Sequence, residues 1–158
     1  MALHEAPSVV GQGSATVVVG FGNHAGIGVS AGVSSEYSQA GGGGTIAIRR
    51  IPVTGFAQVS ITSYGKSGVA ILAGISLEIL RARTSGYTQN DSSLYLEPAA
   101  WLAVRGQWVF AKRFSLFVMP SVSAMFITDH IHVTGSQVTI STPPGWFNLE
   151  AGIGVDFF

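Results

Sequence analysis

From Val69 the chain alternates with a period of two. Val69, Ile71, Ala73, Ile75, Leu77 and Ile79 hold the odd positions, and Gly74, Ser76 and Glu78 lie among the even ones. A strand sends successive side chains to opposite faces, so this pattern makes a ribbon with one greasy face and one face carrying charge. The pattern returns in Leu94, Leu96, Pro98, Ala100, Leu102 and Val104, again from Leu116 to Phe126, and most regularly from Phe147 to Phe157. Each run has 11 or more residues, longer than the usual strand of about 5 or 6. The 21 glycines are scattered through apolar stretches along the whole chain. Each would cost a helix interior about 1 kcal/mol relative to Ala, which argues against helices.

The first half carries a fainter version, over Val9 to Phe21, Gly26 to Tyr37, Thr45 to Arg50 and Thr54 to Ser63, which brings the predicted strands to eight. Tight connections are expected at Tyr64 to Gly68 and Ala111 to Arg113. Long polar ones are expected at Arg83 to Ser92 and Thr134 to Gly145, with Gly41 to Gly44 as a floppy turn. Short turns at one end and long loops at the other describe an all-β, eight-stranded antiparallel up-and-down transmembrane β-barrel, one domain over residues 1–158.

Composition says which face meets what. Only 10% of residues are charged and 47% are apolar, with mean hydropathy +0.42; an average soluble domain has about 25% charged residues. Such a chain has too little charge to dress a water-facing surface, so the apolar faces are expected to point outward into a lipid bilayer. No run of 18 apolar residues exists, so a transmembrane helix is excluded while a membrane span by strands is not. Formal net charge is +0, and nucleic acid is not an expected partner. The absence of cysteine removes disulfides and thiolate chemistry. The start MALHEAPSVV has neither a basic n-region nor an apolar h-region, so a signal peptide is expected to be absent from the chain.

With apolar residues outside, the inward set is expected to contain Arg49, Glu78, Glu97, Arg105 and Glu150. Charges held away from bulk water must pair, and an eight-stranded barrel is only wide enough for side chains to fill. The two arginines are therefore expected to pair with the three glutamates as a lumenal plug, ahead of a conducting gate. Tyr64, Trp108, Phe110, Phe114, Phe157 and Phe158 fall at the short-turn end as one interfacial girdle, with Tyr87 and Trp146 marking the opposite side.

Short motifs add little. Gly28-Val29-Ser30-Ala31-Gly32 matches G-x-S-x-G, but lies in alternating strand with no helix to form the elbow. Asn90-Asp91-Ser92 reads as a turn and Gly20 to Gly26 as a hairpin; His4 and His24 stand alone. Asp129, His130 and His132 form D-H-x-H, which puts both imidazoles on one strand face. His130 and His132 are weak metal candidates, and a solvated strand end is the preferred reading.

Eight strands, apolar-out alternation and the terminal EAGIGVDFF resemble the small outer-membrane barrels of Gram-negative bacteria, the OmpA/OmpX/OmpW-like group. The resemblance implies an outer-membrane location. It also implies that the outer-membrane assembly machinery reads the C-terminal strand, although Phe157 and not Phe158 is in register with the apolar face. The expected role is structural, adhesive or passively permeating, with a mostly plugged polar lumen, no catalytic residues and no cofactor. Two alternatives stay open. One is a soluble β-barrel holding a small apolar ligand, with the alternation turned inside out. The other is an outer-membrane lipid-modifying hydrolase using His130 or His132 with a loop serine; the outer-membrane lipid A deacylases set a precedent for it, although their H-x-S-N motif is missing here.

Overall fold

The structure is a computed structural model that describes residues 12–21, 24–41, 44–64, 66–86, 92–127, 130–132, 139–141 and 144–155. Every regular element among them is a strand: β1 (Gln12–Phe21), β2 (Ala25–Ser34), β3 (Tyr37–Gly41), β4 (Gly44–Tyr64), β5 (Ser67–Ser85), β6 (Ser92–Ala111), β7 (Phe114–Met125), β8 (His130–His132), β9 (Thr139–Ser141) and β10 (Gly145–Val155). The main sheet runs β1-β2-β4-β5-β6-β7-β10 in antiparallel pairs, and β3 continues β2 along β4. β8 and β9 form a separate two-stranded ribbon. The result is an all-β up-and-down meander of seven strands, curled into a half-barrel.

Among the described residues the meander has seven strands, because Thr45 to Arg50 and Thr54 to Ser63, expected as two strands, are one, β4, running unbroken through Pro52. Proline normally marks a strand boundary, since it cannot donate to a ladder. Here the missing donor falls in a gap. β2 pairs with β4 as far as Ala31↔Val53 and β3 resumes at Tyr37↔Ile48, which leaves the ladder interrupted beside Pro52. The Arg50 N–H, two residues earlier and on the same edge, donates to Ser34 Oγ at 2.9 Å instead of to a backbone carbonyl. On the other edge Pro52 stays in register with Glu78.

The turns fall as expected. Phe21↔Ala25, Tyr64↔Ser67 and Ala111↔Phe114 close tight hairpins at one end, while β5–β6 and β7–β10 are joined by long connections at the other. Gly41↔Gly44 closes a tight hairpin at that long-loop end. An odd number of meander strands makes the two edges, β1 and β10, run the same way, and no ladder joins them among the described residues.

One row around the concave face explains the curl. Val18, Gly28, Phe56, Gly74, Trp101, Ser123 and Trp146 are successive cross-strand partners from β1 to β10. Large and small residues alternate along most of it, so rings can fold over glycine and serine neighbours without pushing the strands apart. The Phe56 and Trp101 rings meet at 5.5 Å, tilted by 42°, across Gly74. A Cβ at Gly74 would lie 2.0 Å from the Gly55 carbonyl oxygen and 2.7 Å from Phe56 Cα, whereas one at Gly55 would meet nothing within 4 Å. Gly74→Ala is therefore expected to cost about 1–3 kcal/mol through backbone displacement. Gly55→Ala, a few ångströms away, should be close to neutral; the pair is read by urea unfolding of the folded protein.

Burial runs opposite to that of a soluble domain over most of the sheet. Among the described residues, twenty-nine large apolar side chains are exposed, against eleven buried apolar residues. On β5, Val69, Ile71, Ile75 and Leu77 are exposed, while Ser76 and Glu78 are buried. The order then reverses toward the long-loop end of β4 and β5. There Ile46, Ile48, Leu80 and Ala82 are buried, and Arg49, Arg81 and Arg83 face outward.

Candidate functional site

The concave face gathers the buried charge. Arg50, five per cent exposed, reaches from β4 to Glu78 on β5, donating from Nε at 3.2 Å and from Nη2 at 2.9 Å to the same oxygen, Oε2. The other oxygen, Oε1, accepts from Ser76 Oγ at 3.0 Å, and Thr54 Oγ1 donates to Ser76 Oγ at 3.0 Å. The guanidinium lies 4.1 Å from the centre of the Trp146 ring, a cation–π contact that strengthens away from water. Arg50 thus ties β4 to β5, to Ser34 of β2 and, across the bore, to β10. Glu97 of β6 is fully buried and stands directly opposite Glu78 in register.

This corrects the expected lumenal set. Arg49 faces outward and pairs at 3.5 Å with Glu36, both about half exposed; Arg50 is the inward arginine. With the strand continuous through Pro52, the inward parity of Phe56 and Thr54 carries on to Arg50, Ile48 and Ile46. Reading Thr45 to Arg50 as a separate apolar-out strand reversed that parity. Glu78 and Glu97 are inward as expected. Arg105 is also on the inner face but bonds its own strand neighbour Gln107 and lies 5.8 Å from the Phe117 ring centre. Glu150 accepts from Gln12 Nε2 at 3.3 Å and Ser14 Oγ at 2.9 Å, both on β1. The expected set is therefore seen in one cluster at Arg50 and Glu78 and a second, around Glu150, across the β1–β10 seam.

Between the clusters lies a small polar pocket with an enclosed volume of about 10 Å³, room for about one water, lined among others by Gln12, Ser30, Thr54, Glu78, Asn148 and Glu150. Toward the turn end the bore is filled by Phe56, Leu72, Trp101, Ala103 and Met119, with Val18 and Phe117 against them. Charge, hydroxyls and rings thus line the concave face among the described residues.

The aromatic girdle is shared between observed and undescribed residues. Trp108, Phe110 and Phe114 are exposed together at the turn end, with the Phe110 and Phe114 rings stacked at 6.2 Å. Phe21, in the β1–β2 hairpin, is exposed at the same end and was not among the expected girdle residues. The Tyr64 backbone pairs with Ser67 there, and Phe157 and Phe158 lie outside the described residues, as do Tyr87, Asp129, His4, Asn90 and Asp91. Trp146 does not mark the opposite rim: its even position turns it inward over Arg50. Ser30 of the G-x-S-x-G match is mid-strand and accepts from Thr16 Oγ1 at 2.9 Å, with no elbow around it. His130 and His132 form β8, in register with Ser141 and Thr139 of β9.

The residues missed from sequence, Arg50, Ser34, Trp146 and the Gln12–Ser14 pair, share one cause. Each acts through a partner at least 16 residues away, which strand parity alone does not reveal. The polarity of β4 on either side of Pro52 was the one available signal for Arg50. No family model, curated protein or solved structure matches the chain.

Proposed function

We propose that this protein is an integral outer-membrane β-barrel of the small OmpA/OmpX/OmpW-like kind, with a structural, adhesive or passively permeating role and a mostly plugged lumen. The observation that carries the proposal is the inside-out burial and its height. Ten residues of β5 separate Val69 from Ile79, the two ends of its outward apolar row. At about 3.3 Å per residue and a tilt of roughly 40°, that row stands about 25 Å tall, the height of a bilayer's apolar band. Aromatic rings bound it at the turn end and arginines at the other.

The seven-strand meander leaves β1 and β10 running the same way, so an eight-stranded closed form would take one more strand antiparallel to both, in place of the Gln12 and Ser14 bonds to Glu150 that now bridge the seam. The C-terminal strand is the element the assembly machinery would read, and the long connections at the loop end would carry specificity. The soluble-barrel alternative needs an apolar interior, and Arg50, Glu78 and Glu97 weigh against it. Refolding into detergent or lipid vesicles is expected to be required. A monodisperse monomer in detergent-free buffer overturns the membrane reading and restores the soluble one.

The hydrolase reading has one observation in its favour, the placement of His130 directly opposite Ser141 in the β8–β9 ribbon. Incubation with lipid A or phospholipid and mass spectrometry tests it: no product is expected. Product that disappears in His130→Ala and Ser141→Ala would establish an enzyme.

A further inference from the structure

Arg49, Arg81 and Arg83 form an outward cluster where the polarity of the sheet reverses. Arg49 and Arg81 are direct cross-strand partners on β4 and β5, and Arg83 is the next outward residue on β5. Like charges directly opposite one another destabilise a sheet unless an anion lies between them. Glu36 pairs with Arg49 at 3.5 Å, which leaves the cluster with net positive charge among the described residues. Beside and beneath it, on β6, the outward residues are apolar. Leu94 is the β6 partner of Arg81 and is 62% exposed, and Leu96, partner of Ile79, is 54% exposed. Guanidinium forks stand over an apolar wall, the pairing offered by a lipid whose phosphate heads an acyl chain.

We propose that Arg49, Arg81 and Arg83 bind the headgroup phosphate of anionic lipid at the long-loop rim of the belt, with the acyl chain along Leu94 and Leu96. The proposal rests on the membrane reading above and names the lipid class that reading leaves open. Arginine is suited to the task because its planar fork engages two phosphate oxygens at once and stays charged at every accessible pH. Lys66, Lys112 and Arg113 occupy turns at the opposite end, without a cross-strand arginine pair, and serve as the internal comparison.

The full chain is refolded into vesicles of phosphatidylcholine alone and of phosphatidylcholine with phosphatidylglycerol, extracted in mild detergent, and its retained lipids counted by native mass spectrometry. Retention of phosphatidylglycerol over phosphatidylcholine is expected, weakening as salt rises. Each arginine near a charged surface contributes about a five-fold preference. Arg81→Gln with Arg83→Gln should therefore cut the preference roughly 25-fold, while Lys112→Gln with Arg113→Gln should keep most of it. Circular dichroism and heat-modifiable gel mobility establish that each variant is folded. Insertion into both vesicles with no phosphatidylglycerol preference, or an equal loss in both double variants, overturns the lipid site and leaves the barrel standing. Failure to insert into either vesicle overturns both.

Discussion

Arg50→Ala is expected to destabilise the protein by about 3–5 kcal/mol, the cost of leaving a buried carboxylate without its cation. Glu78 is one per cent exposed and draws its charge-assisted bonds from Arg50, and Glu97 stands directly opposite it on the next strand. Removing the guanidinium therefore leaves two carboxylates facing each other with one cation fewer in the same layer. The adjacent residue supplies the control. Arg49→Ala breaks a pair that is about half exposed on both sides, and solvent screening holds such a pair to about 0–1 kcal/mol. Urea titrations in detergent should separate the two midpoints clearly. Arg50→Met combined with Glu78→Gln removes both charges and should recover roughly 1–3 kcal/mol of the loss, as expected for directly coupled residues. Equal midpoints for Arg49→Ala and Arg50→Ala would mean that β4 faces the other way at this point.

Ile75→Arg should cost about 2–4 kcal/mol when the protein is folded in a bilayer, because it places a cation near the middle of the apolar belt. Ile75 is 65% exposed, and its cross-strand neighbours Gly55 and Ala100 offer no side chain to shelter the charge. The same change on a water-facing surface stays within about 0.5 kcal/mol. Ser85→Arg lies beyond the polarity reversal on the same strand and is exposed as well. It should be near neutral in lipid vesicles. A small effect for Ile75→Arg in vesicles would show that the exposed apolar row meets water or another protein and not acyl chains.

Much of the architecture is legible in the alternation because strand parity is local. The outward row of Leu116, Val118 and Val122 and that of Phe147, Leu149 and Ile153 need only their own spacing to be placed on one face. The tight hairpins at Tyr64 to Ser67 and Ala111 to Phe114 were equally visible. The sparse charge of the chain pointed to which face is outside, and the exposed apolar rows agree with it.

The strand count over residues 45 to 63 and the facing of Arg49 and Arg50 turn on a non-local circumstance at Pro52. Pro52 breaks a strand when every backbone donor is needed, but the interruption between β2 and β3 makes its missing N–H harmless. That circumstance belongs to the neighbouring strand and cannot be read from residues 45 to 63 themselves. Counting β4 as two strands had two results: one strand too many, and Arg49 placed inside where Arg50 belongs.

Alternation and composition by themselves determined an all-β meander with one apolar and one polar face, because side-chain direction along a strand follows from covalent geometry. Only the tertiary structure decided the partnerships across the bore. Arg50 meets Glu78 and Trp146, and Glu150 meets Gln12 and Ser14, because strand register and the curl of the sheet bring together residues far apart in the chain. It also decided where polarity reverses on β4 and β5, since that boundary is defined by which side chains the curl encloses at each level.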